Sequence, residues 1–218
     1  IVAEDKKVWA EKNSARLLGK PLKERIIKMN KIELLSPVGS FDCLKAAVQS
    51  GADCVYFGAN LFNARASANN FDDDELKRAI EYAKLRNVKT NLTLNILIKN
   101  DEFYQALNLA KKAYEYGIDA IIVQDLGLAK KLIETFPDLP IHASTQLTVH
   151  NLDGVIQAEK LGFKRVVLSR ELSIDEIKYI CENSNIEIEV FVHGALCISY
   201  SGQCLLSSMI GARSRKSW

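Results

Sequence analysis

The chain has 218 residues, 48% of them apolar and 26% charged, with a net charge of +2. Those figures exclude a disordered, collagenous or disulfide-built protein and allow one substantial core. No apolar run approaches the roughly 20 residues of a membrane span and no signal-peptide core opens the chain. With an odd five cysteines as well, cytoplasm is the expected compartment.

The charge is unevenly spread. Residues 1–30 hold eight Lys/Arg against four Asp/Glu, and the remainder holds 21 against 23. Bulk charge therefore does not mark residues 31–218 as a nucleic-acid surface. Within 1–30, Leu18, Leu22 and Ile26 recur at helical spacing, but Gly19 and Pro21 interrupt the run. Met29 stands just before the first strand. Residues 1–30 are read as an N-terminal extension, either foreign to a native start at Met29 or a helix covering the floor of the fold.

From residue 31 strands and helices alternate. Strands are expected over 32–35, 54–57, 89–95, 120–123, 140–143 and 165–168. Helices are expected over 41–50, 72–86, 102–116, 126–135, 152–161 and 174–182. Ser40 is placed to cap the first helix, three aspartates open the second, and Gly117 ends the third. A long loop, 58–70, follows the second strand. Alternation of this kind implies a parallel sheet covered by helices on both faces, and its unbroken repeat favours a TIM-type (β/α)8 barrel. The count stops at seven strands, which predicts that the eighth comes from beyond residue 218 or is supplied by something else.

The seventh strand is read as a buried run, Ile186, Ile188, Val190, Phe191 and Val192. It delivers His193-Gly194 into a Gly- and Ser-rich loop with Cys197 and Cys204 seven positions apart. Loops after strand ends are where α/β proteins keep their chemistry. Glu189-x-Phe191-x-x-Gly194-Ala195-Leu196-Cys197-x4-Gly202-x-Cys204-x-Leu206-Ser207 resembles the signature of the U32 peptidase family, the collagenase-like proteases. The resemblance runs from about Ile32 to Arg213 and implies the same barrel. After Gly211-x-Arg213-Ser214 the family usually continues through an Asn-Arg-Gly turn into further cysteines, a pattern from which Ser214 to Trp218 departs.

Candidate site residues follow from the barrel. His142, His150 and His193 fall at or just after the ends of strands five and seven, the rim where barrel enzymes hold their active sites. Each alone reads as readily as a hydrogen-bonded structural residue. Glu189 joins them as a candidate catalytic group. Arg65, Asn95, Gln124, Gln146 and Arg170 are candidate substrate contacts, the two arginines because a guanidinium fork suits carboxylate or phosphate, although Arg170 reads equally as a partner of Glu171 or Glu189. Cys43, Cys54 and Cys181 are read as small apolar core residues.

Cys197 and Cys204 fit half of a four-thiolate cluster or, alternatively, of a zinc site. No GxSxG or HExxH appears, so no standard hydrolytic constellation assembles. The resemblance implies a [4Fe–4S] cluster ligated in part by Cys197 and Cys204, with Arg65, His142, His150 and Arg170 about the pocket. It also implies oxygen-independent hydroxylation of a base in tRNA or rRNA, or of a related aromatic ring, with prephenate as hydroxyl donor. Cleavage of a peptide substrate through Cys197 or a metal, as the family name says, is the alternative. An inert barrel fragment is the third reading.

Overall fold

The computed structural model describes residues 32–64, 70–194 and 197–204. The N-terminal extension (through residue 31), Arg65 and everything from Leu205 onward lie outside the described residues. Seven strands form one parallel sheet in sequence order: β1 (Leu35–Pro37), β2 (Cys54–Gly58), β3 (Lys89–Leu94), β4 (Ala120–Val123), β5 (Ile141–Ala143), β6 (Arg165–Val167) and β7 (Glu187–Glu189). Between them run α1 (Phe41–Gln49), α2 (Asp73–Lys84), α3 (Phe103–Tyr116), α4 (Leu126–Thr135), α5 (Leu152–Leu161) and α6 (Ile174–Asn183). This is the curled sheet of a (β/α) barrel, with β1 and β7 as its outer strands. No described helix is long and apolar enough to cross a membrane.

The helices begin where their side chains can satisfy free backbone amides. Ser40, Asp125 and Asn151 each accept from an amide of the following turn, while Asp72 with Glu75 and Ser173 with Glu176 form reciprocal capping boxes. The outer face of the sheet supplies the core: Leu92, Leu94, Ile121, Val123, Ile141, Ala143, Val166 and Leu168 pack against Leu76, Ile80, Ala110, Leu128 and Val155 of the helices. Two strands depart from expectation. β1 starts three residues late, with Pro37 inside it, which an outer strand tolerates because its free edge needs no donor. β7 spans three residues only, and Phe191 and Val192 are exposed rather than buried. Its inward positions are Glu187 and Glu189; Ile186 and Ile188 pack against the core as expected, whereas Val190, Phe191 and Val192 do not.

Period-two alternation sends the other set of side chains into the barrel, and beside Ile122 and Val167 that set holds Asn91, His142, Arg165 and Glu189. A cavity of about 240 Å³ opens among residues at or just before the strands' N-terminal ends, including Glu33, Lys89, Asn91, His142, Arg165 and Glu187. Arg165 is its centre. It contacts Glu33 at 2.8 Å, Glu187 at 2.7 Å and Glu189 at 3.3 Å, while Lys89 meets the other oxygen of Glu33 at 2.8 Å. One guanidinium on β6 thus ties the segment leading into β1 to the residues of β7.

The two inner carboxylates respond differently. Burial opposes ionisation of Glu33, yet hydrogen bonds from Lys89 and Arg165 hold its carboxyl below the usual range. Burial wins at Glu189, which has one longer contact to Arg165 and the charges of Glu33 and Glu187 nearby, and its carboxyl is pushed up. Arg165 itself stays firmly protonated.

His142 belongs to this chamber. It was expected at the C-terminal rim, at the end of the fifth strand, but as the middle residue of β5 it pairs in register with Arg165, the first residue of β6. That pairing puts it level with the beginning of β6. Burial, with Arg165 adding to it, lowers its pKa to about 3, and its Nδ1 has no hydrogen-bond partner.

Replacing Arg165 with Met leaves Glu189 buried beside no cation and Glu33 with Lys89 alone, and a loss of about 3–5 kcal/mol is expected from urea unfolding. Adding Glu189→Gln should recover part of that loss. For His142, the unfolded chain takes up a proton near pH 6.5 and the fold only near 3. Stability should therefore fall as pH drops from 6.5 toward 3, by up to about 1.4 kcal/mol per unit. The slope should flatten in His142→Gln when the two proteins are unfolded in parallel across that range.

Candidate functional site

At the opposite, C-terminal end of the strands the loops are stitched to one another in chain order. The Ala64 amide donates to Asn95 Oδ1 (3.0 Å), joining the loops after β2 and β3. Asp125 caps α4 through one oxygen and accepts from the Ile98 amide with the other (3.2 Å), joining those after β3 and β4. Gln124 Nε2 donates to the Gln146 carbonyl at 3.3 Å, and Thr145 Oγ1 to the Leu168 carbonyl at 3.3 Å. Asn95, Gln124 and Gln146 thus use these groups to brace neighbouring loops. The rim is a connected frame.

The cysteine loop is the last piece of that frame. Arg170, just past β6, donates from Nη1 to the Cys197 carbonyl and from Nη2 to the Ser199 carbonyl, each at 2.9 Å. Its backbone amide donates to Ser201 Oγ at 3.1 Å. Glu171 Oε1 accepts from the Ser201 amide at 2.8 Å and from Ser201 Oγ at 3.2 Å. Burial works against the charge on Glu171, but these bonds hold its carboxyl below the usual range. From the β5 side, Thr148 Oγ1 donates to the Ser201 carbonyl at 2.9 Å.

Gly202 completes the seat at φ +74°. A Cβ there would come within 2.5 Å of the Gln146 carbonyl oxygen and 2.6 Å of Thr148 Oγ1, so glycine alone allows this approach.

The expected site residues therefore divide. Arg170 touches the cysteine loop, but its fork is occupied by that loop's carbonyls instead of lying open for an anion. His150 bonds the Thr148 carbonyl through Nδ1 at 2.8 Å and is exposed. His193, beyond β7, is exposed as well. His142 and Glu189 belong to the chamber at the far end, so the three imidazoles do not converge on one cavity. Arg65 lies outside the described residues. Among the described residues no three His, Cys, Asp or Glu side chains come together to hold a metal ion.

The thiols also divide. Cys54 is buried inside the sheet and burial pushes its pKa up. Cys43 and Cys181, expected in the core, are exposed on α1 and α6, because each falls off its helix's inward stripe. Cys197 is exposed and Cys204 half-buried, neither of them in a disulfide. Two thiols on one pinned loop suit half of a four-thiolate ligand set. Glu33, Arg165, Thr148 and Ser201 escaped the sequence reading. Only a strand register assigns the first two to one chamber, and only the folded loop brings the other two together.

A family model for peptidase family U32 matches residues 39–217. Over 186 residues the chain is 40% identical to the tRNA hydroxylation protein P of Escherichia coli (strain K12), covering 85% of this chain and 41% of that protein. It is 37% identical over 188 residues to the 23S rRNA 5-hydroxycytidine C2501 synthase of the same organism, covering 86% and 28%. It is 36% identical over 193 residues to a protein named collagenase from Porphyromonas gingivalis (strain ATCC BAA-308 / W83), covering 83% and 46%. The chain thus spans less than half the length of these curated relatives. Among solved structures, the U32 peptidase Mk0906 aligns with a TM-score of 0.59 at 17% identity, covering 72% of this chain and 67% of that one, a likeness of fold. The motif, the barrel and these matches agree: the chain belongs to peptidase family U32.

Proposed function

We propose that this chain is the barrel portion of an iron–sulfur-dependent, oxygen-independent hydroxylase acting on a base in tRNA or rRNA. The observation that carries the reading is the loop at the strands' C-terminal ends, where Cys197 is exposed, Cys204 is half-buried and the backbone between them is held by Arg170, Glu171 and Thr148. Cys197 and Cys204 would hold a [4Fe–4S] cluster in part, and the cluster would supply the electron-transfer chemistry. The chain's own contribution is to fix the thiol-bearing loop and frame the surface beside it. Two relatives named for hydroxylated RNA support a nucleobase as the substrate. Prephenate, implied by the family resemblance, is the proposed hydroxyl donor.

Proteolysis is the competing reading, supported by the relative named collagenase. A thiol protease needs an imidazole on its nucleophile. No described histidine is hydrogen-bonded to Cys197, and of the three it is His193, exposed after β7, that stands nearest in sequence. That favours ligation over nucleophilic attack.

Purified without oxygen, the protein is expected to be brown and to contain iron and acid-labile sulfide, with both lost in Cys197→Ala. Mass spectrometry of RNA digests from cells lacking the protein should show a missing hydroxylated nucleoside. A colourless, iron-free protein that cleaves gelatin and stops doing so in Cys197→Ser would replace this reading with the peptidase one.

A further inference from the structure

The Arg170–Glu171 pair does more than end β6. A guanidinium that donates to carbonyls two residues apart spans them with its two arms, a geometry that a lysine ammonium cannot reproduce. Without it the carbonyls of Cys197 and Ser199, which converge on one point, would have no shared donor. Hydrogen bonds from a charged donor are about twice as strong as neutral ones, and three features deepen this hold. The Arg170 side chain is largely buried, with 21% of it exposed. Glu171 anchors Ser201 through both its amide and its hydroxyl. Gly202 is pressed against Gln146 and Thr148 with no room for a side chain. The bonds to Cys197 and Ser199 also place a permanent positive charge against the backbone carbonyl of Cys197 itself.

We infer that Arg170 and Glu171 are positioning residues that set the cysteine loop, and that the Arg170 charge raises the reduction potential of a cluster held by Cys197. The second half rests on the iron–sulfur reading above; the first does not. Net charge and hydrogen bonding around the sulfurs are the levers by which a protein tunes such a cluster. Arg170 supplies the charge, and the amide and hydroxyl of Ser201, held by Glu171, fix the distance at which it acts.

Two measurements on the same variants test this. In metal-free protein, hydrogen exchange across 197–204 should quicken about tenfold in Arg170→Gln, the effect of losing roughly 1–1.5 kcal/mol of hydrogen bonding. Glu171→Gln should show a similar change, and Arg170→Lys a smaller one. In protein purified with its cluster, a potentiometric titration should give a more negative midpoint for Arg170→Gln and a midpoint near wild type for Arg170→Lys, which keeps the charge. Should Arg170→Gln fail to fold, Ser201→Ala, which removes the hydroxyl between the two residues, should loosen the same segment.

Unchanged exchange in Arg170→Gln or Ser201→Ala would overturn the positioning role. Equal midpoints in wild type and Arg170→Gln would overturn the charge role. A wild-type protein with no cluster would refute the iron–sulfur reading and the charge role with it, while the exchange result would still decide positioning.

Discussion

The guanidinium of Arg165 is the contact on which the shape of this sheet depends. β1 and β7 are the outer strands of a curled parallel sheet, and no ladder of backbone hydrogen bonds joins them among the described residues. Arg165 reaches from β6 to Glu33 ahead of β1 and to Glu187 and Glu189 on β7. The curl is therefore drawn together at one end by charge. A barrel interior is ordinarily filled with branched aliphatic side chains, whereas this end is filled with paired ions. Such a network gives little net stability over an apolar filling, yet removing one member is costly because the others stay buried.

The two ends of the strands consequently do different work. At the beginnings, cations and carboxylates are matched to each other: Lys89 and Arg165 on Glu33, and Arg165 on Glu187 and Glu189. Much of their charge is spent on one another. Beyond the strand ends, polar groups face backbone instead, and the result is a scaffold for loops. That division matches the usual barrel arrangement, with stability at the N-terminal face and chemistry at the C-terminal one.

Much of this was legible in the sequence. The strand–helix alternation, the caps at Ser40 and Asp72 and the stop at Gly117 are local signals, and local signals survive folding. The cysteine loop was found because its spacing is unusual. What escaped were facts of register. Whether Glu189 or Val190 turns inward depends on a one-residue choice of pairing that an apolar run does not reveal. His142 looked like a rim residue because β5 is short, and only its pairing with Arg165 shows that it sits level with the start of β6. Arg170 read as an anion fork or as a partner of Glu171 or Glu189, and nothing near it in sequence announces the carbonyls of Cys197 and Ser199, which folding brings back across α6 and β7.

The stitching of the strand-end loops has a wider consequence. From Ala64 to Ser201 every loop leans on the next, through Asn95, Asp125, Gln124, Thr145 and Arg170 in turn. Such a row behaves like masonry: one block can be recut only if its bearing surfaces are kept. A family that diversifies its chemistry on this scaffold is thus free to alter the tips of these loops, but is bound to preserve the side chains at their shoulders.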